Sequence, residues 1–231
     1  SAEGGSENVM LSVIAVQGPN PAGDRMARWL YTSTYWDGTA DGGIQDQAIT
    51  GRLRDGANNI GSVGYNEGAG SVLVASAELM QRYIAAGGSK EFDLSDIGRF
   101  PAVLSGAFFP LECRLAGGYQ ARVGDWGRAM DSTVYKTIGT YADSFRFALR
   151  KTGDPRMAWL LTNVVGRSSE TDAEWQKVEQ AAAGQRDPQL SSVSRNLEGF
   201  GLAMLESGSE QDDVTKKRAI AFRHGAAKGH A

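Results

Sequence analysis

The spacing of apolar residues changes period once along this chain, and that change limits the folds open to it. Up to about residue 193 they recur three and four apart, in segments separated by Gly-rich runs, the pattern of amphipathic helices joined by turns. From Arg195 the spacing becomes alternation. A first alternating segment ends at Ser207-Gly208, a polar turn follows, and a second covers residues 218–222. These read as two strands, with the only two histidines, His224 and His230, placed beside glycines where the second strand exits. The chain is therefore expected to be mainly α, with a helical domain over residues 1–193 and the start of a β-domain over 194–231. Paired helices with Gly-rich loops suit a bundle or an α/α toroid, whose loops gather at one end into a cleft. A two-stranded sheet is marginal alone, so the chain is expected to be a section of a longer polypeptide or to pair with another chain.

Within the helical part, residues 8–15 and 22–31 predict two packed helices around a Gly-Pro-Asn-Pro break, with Met26, Trp29 and Leu30 on one face of the second. Residues 37–70 carry little periodicity and read as a long irregular segment of the kind that often holds function. Val72, Leu79, Met80 and Tyr83 predict a helix over 71–86 that stops at Gly87-Gly88. One or two apolar helices are expected over 94–115, broken at Pro101 and Pro110. A Gly-rich loop, 116–127, comes next. Helices are expected over 135–151 and 156–165, with Gly153-Asp154-Pro155 between them, and an exposed polar helix over 170–183.

Composition excludes several classes. The 231 residues are 41% hydrophobic, enough for a sizeable core. A net charge of −3 argues against nucleic-acid binding, which needs concentrated positive charge. No apolar run reaches the roughly 18 residues of a membrane span, and no export signal is visible. The single cysteine, Cys113, lies among Phe108, Phe109, Leu111 and Leu115 and reads as a buried small hydrophobe.

Five segments, taken in order, carry a resemblance. They are Gly64-Tyr65-Asn66-Glu67-Gly68, Gly118-Tyr119-Gln120-Ala121-Arg122-Val123-Gly124-Asp125, the run from Phe145 to Arg156, the run from Gly199 to Gly208, and Gly229-His230. Their order resembles the heparinase II/III-like polysaccharide lyases over roughly residues 60–231. The resemblance implies an α/α toroid followed by an antiparallel β-sandwich, and β-elimination of uronic-acid polysaccharides outside the cytoplasm, secreted or periplasmic. It implies an anionic polysaccharide or oligosaccharide as partner. The sequence departs from the family at three points. Ala69-Gly70-Ser71 stands where a further tyrosine usually follows Glu-Gly, Val9 stands where a His often follows Asn8, and the Gly-His motif stops at Ala231. No cofactor site can be built from the residues present; a zinc or calcium ion in the β-domain is expected only of a chain that continues further.

Elimination requires donors that neutralise the uronate carboxylate and a base beside C5. On the resemblance, Tyr65 is the candidate base and acid, and Asn8 and His230 neutralise the carboxylate. Tyrosine, with an ordinary pKa of about 10, serves as a base only where cationic neighbours favour its phenolate. Glu67, Arg114, Arg122, Asp125 and Trp126 are candidate substrate-binding residues. Each has a plainer alternative: Asn8 as a helix cap, Glu67 as a helix-start charge, Arg122 and Asp125 as each other's partner, and Tyr65 as loop packing. His224 reads as structural. Two rival functions remain open, a non-catalytic carbohydrate-binding module and a toroidal glycoside hydrolase using Asp55 or Glu67 with Asp125.

Overall fold

The computed structural model describes residues 21–32, 57, 63–120, 138, 141–191, 193–209 and 213–224. Within them six α-helices precede a three-stranded antiparallel sheet. The helices are α1 (Pro21–Thr32), α2 (Val63–Ala85), α3 (Pro101–Glu112), α4 (Ala142–Thr152), α5 (Pro155–Leu160) and α6 (Asp172–Ala182). A short hairpin, β1 (Arg114–Leu115) with β2 (Tyr119–Gln120), follows α3, and β3 (Arg195–Leu197), β4 (Leu202–Ser207) and β5 (Arg218–Arg223) make the sheet. Toroid closure is not visible among the described residues.

The helix at 71–86 starts eight residues earlier than its pattern suggested. Gly64, Gly68 and Gly70 each cost about 1 kcal/mol relative to Ala in a helix interior, so propensity alone would leave this stretch as a loop. Burial of Glu67 against α3 and packing of Leu73, Val74, Ala77 and Met80 in the main core override it. Pro101 begins α3 rather than interrupting it. Pro110 lies in the last turn of α3, where its missing N–H removes a single ladder bond, and the helix continues to Glu112.

The join between α4 and α5 follows from three residues. Gly153 closes α4 in the left-handed conformation at φ 70°, donating to Leu149 O at 2.8 Å. Asp154 then caps α5 by accepting from Arg156 N, and Pro155 supplies its first residue. After Leu160 the coil widens into a π turn, Leu161–Val165, closed by Gly166 N donating to Leu161 O at 2.8 Å. The last helix, α6, opens with a Thr171/Glu174 capping box and buries no residue, matching its polar sequence.

Apolar on nearly every side, α3 sits between two cores. Val103, Ala107 and Leu111, one face of it, pack with Leu73, Phe145, Phe147 and Leu160 of the helical core. Phe109 and Cys113 face a second cluster containing Leu197, Phe200, Leu202 and Met204 of the sheet, with Phe109 and Phe200 edge to face at 5.9 Å. The first alternating segment is two strands, not one: residues 198–201 turn between β3 and β4, with Gly201 at φ 73° donating to Leu197 O. Strand β5 covers the expected residues and pairs Leu205 with Ile220 and Ala203 with Phe222. Leu205, Ile220 and Phe222 are exposed on the sheet's outer face.

Candidate functional site

Two of the candidate residues meet each other. Glu67 and Arg114 are 1% and 2% exposed, and Arg114 Nη2 donates to Glu67 Oε1 at 2.6 Å. Tyr141 Oη donates to the other carboxylate oxygen at 3.1 Å, and the Cys113 thiol lies 3.5 Å from Oε1. Arg114 also donates to Pro110 O at 2.9 Å and Gly118 O at 3.3 Å, tying the β1–β2 hairpin to the end of α3. Because α2 begins at Val63, Glu67 falls in its second turn and not at the helix start where a negative charge would complement the dipole. The charges of this pair are spent inside the fold, and neither is offered to solvent. Burial, then the Glu67 carboxylate, pushes the Cys113 thiol well above its ordinary range, so it stays protonated and unreactive.

The Tyr65 backbone lies in the first turn of α2, whereas its side chain is outside the described residues. Asn8, Arg122, Asp125, Trp126 and His230 are also outside them, as is Asp55. His224 directly follows β5, with its N–H donating to Gly201 O at 2.8 Å and its Nε2 2.9 Å from Asn196 Oδ1. It pins the strand end to the β3–β4 turn. That is the structural part its position suggested.

A cleft that no motif announces lies where α3, α5 and the segment 184–195 meet. It has a volume of about 790 Å³, and Glu112, Arg156, Trp159, Asp187 and Arg195 are among its walls. A second depression, about 500 Å³, shares Glu112, Arg156 and Arg195 and continues over Ser105, Phe108 and Asn196. Arg156 donates to Glu112 Oε1 at 2.8 Å and to Asp154 Oδ2 at 2.8 Å, and its guanidinium lies 5.6 Å from the Phe108 ring centre. Arg195 reaches Glu206 Oε1 at 3.3 Å and the Arg114 carbonyl, but its approach to Glu112 is only 4.0 Å. Its Nε finds no acceptor among the described residues. Burial raises the carboxyl of Asp187, against the Gln189 N–H that it accepts. Sequence reading missed this cleft because its walls come from three separated segments. The one local signal was Asp154-Pro155-Arg156, which reads first as a helix start.

Among the described residues no three His, Cys, Asp or Glu side chains are grouped to hold a metal ion, and no helix is long and apolar enough to cross a membrane. The chain matches no family model, no curated protein and no solved structure.

Proposed function

We propose that this chain belongs to a polysaccharide lyase that cleaves uronic-acid glycans by β-elimination, its helices part of an α/α toroid and its sheet the start of a β-sandwich. The ordered motifs suggest the reading, and one structural observation supports it most. The first turns of α2, which carry Tyr65, reach Cys113 through Glu67, and Cys113 packs directly on the sheet whose last strand ends at Arg223. The helix turns that carry the Tyr65 backbone and the sheet that ends before His224 therefore adjoin in the fold.

In this proposal Tyr65 removes the C5 proton and returns it to the leaving oxygen. Asn8 and His230 stabilise the developing enolate-like dianion, and Arg122, Asp125 and Trp126 hold the glycan. Glu67 and Arg114 act through position: their buried pair holds the first turns of α2 against α3 and the hairpin. The setting is secreted or periplasmic, and the partner is an anionic polysaccharide or oligosaccharide.

The test is a panel of uronic-acid polysaccharides followed by the ultraviolet absorbance of a 4,5-unsaturated uronate. Signal abolished by Tyr65→Phe supports the mechanism; signal that persists keeps elimination and removes Tyr65 from it. A second reading, a carbohydrate-binding module without turnover, is favoured by the cleft, which offers cationic and aromatic groups without depending on Tyr65. The hydrolase reading is weaker, because Glu67 is committed to Arg114 and is not free to serve as one of two catalytic carboxylates.

A further inference from the structure

We propose that the cleft between α3, α5 and the segment 184–195 binds a carboxylate-bearing sugar chain, with its anionic group seated between Arg156 and Arg195 and a ring against Trp159. The inference rests on the glycan reading above for its ligand class and on the cleft's own chemistry for its location.

Two guanidinium groups, Arg156 paired with Asp154 and Arg195 paired with Glu206, approach the Glu112 carboxylate there. Glu112 satisfies Arg156 at 2.8 Å but stands 4.0 Å from Arg195, beyond a hydrogen bond. Asp154 also holds Arg156 and Glu206 also holds Arg195, so the donor left over at this wall is Arg195 Nη1, which stands 4.0 Å from Glu112 Oε2 and reaches no hydrogen-bonding oxygen among the described residues. A ligand carboxylate supplies two such oxygens in the fork geometry that guanidinium prefers. Exposure agrees with this division of labour. The Arg156 side chain is 44% exposed and can turn toward a ligand, while Arg195 is 18% exposed and held from behind by Glu206 and the Arg114 carbonyl.

The shape selects a chain over a small ion. The two depressions border the same Glu112, Arg156 and Arg195 side chains, with Trp159 lining one and Phe108 and Asn196 lining the other. A lone anion needs only the wall, whereas half-buried Trp159 and Phe108 offer flat apolar surface of the kind that sugar rings cover. Gln185 and Ser191 add hydroxyl-matching groups at the rim.

Trp159 also supplies the readout. Titration of the protein with oligogalacturonate, with the uncharged oligosaccharide of the same length and with inorganic sulfate, following tryptophan fluorescence, tests the site directly. The expected result is a saturable change with oligogalacturonate alone. It disappears in Trp159→Phe, and its dissociation constant rises at least about tenfold in Arg156→Gln, the loss of one charge-assisted hydrogen-bond pair. Arg156→Lys restores part of it. Binding by the neutral chain at equal affinity, or unchanged affinity in Arg156→Gln, overturns the proposal, and a response to sulfate alone reduces the site to an anion contact and overturns the chain-binding part. The ultraviolet assay run on the same samples separates this from the lyase reading: binding without absorbance removes the lyase and keeps the cleft, and absorbance unaffected by Arg156→Gln does the reverse.

Discussion

Removing one member of the Glu67–Arg114 pair should be among the most damaging single changes this protein can suffer. At 2.6 Å, and with the effective dielectric of about 20 suited to buried sites, the gross attraction is roughly 6 kcal/mol. Dehydrating the two ions costs several kcal/mol each, so the pair contributes little net stability while both are present. Take one away and the balance disappears. Arg114→Met strands a carboxylate that is 1% exposed and also deprives Pro110 O and Gly118 O of a donor. The expected cost is about 3–5 kcal/mol, against a total of about 5–15 kcal/mol for an ordinary domain. Glu67→Gln keeps the shape and leaves Arg114 a neutral acceptor, for about 2 kcal/mol. The double change Glu67→Leu with Arg114→Met removes both charges and should recover most of the loss. Urea unfolding followed by far-ultraviolet circular dichroism measures the wild type, these three variants and the Glu67→Leu single that closes the cycle, with the slope held common. Should Arg114→Met cost under about 1 kcal/mol, or the double variant simply add the singles, the reasoning about an uncompensated buried charge fails.

Other expectations follow from single contacts. Burial raises the Glu170 carboxyl, but hydrogen bonds from Arg146 and from backbone N–H groups outweigh it and bring it to about 2. A depressed folded value means stability that is full above pH 4.5 and is lost as pH falls from there toward 2, on the order of 2 kcal/mol. Arg146→Met should flatten that part of the stability-against-pH curve, and an unchanged curve would remove the pair from the explanation. Gly88→Ala drives its new methyl into the ring of Tyr83, which is buried and held by Asp24; a loss of about 1–3 kcal/mol should appear as a lowered melting temperature. On the sheet's outer face, Ile220→Thr should change stability by less than about 1 kcal/mol while raising solubility, because the side chain is 59% exposed and pairs with Leu205 across the strand.

What the sequence made legible was wherever local pattern and final burial agree. Strand β5 and helices α1 and α6 fell where their periodicity put them, and Cys113 is as buried as its neighbours suggested. The misreadings came where tertiary contacts outvoted local preference. Three glycines concealed the first turns of α2, and only the distant Arg114 explains why Glu67 lies inside a helix. The β3–β4 turn hid because Leu197, Phe200 and Leu202 all face one core, so the apolar run does not pause where the chain reverses. The cleft is illegible for a different reason. Glu112, Arg156, Asp187 and Arg195 are ordinary surface residues in sequence and acquire meaning only when three segments converge.

The π turn at Leu161–Val165 amounts to a helix carrying one residue too many, and so to a phase change written into the chain. Each residue added to a helix rotates everything after it by about 100°. Deleting one residue between Leu161 and Val165 should let the coil close as ordinary α-helix. The rotation would then be absorbed at Gly166, whose φ of 87° already ends the coil, and in the exposed stretch before α6. The same deletion in α2 or α3 would swing a packed face away from its core. Tolerance to shortening should therefore peak at this one point of the helical body, beside the tryptophan that lines its cleft.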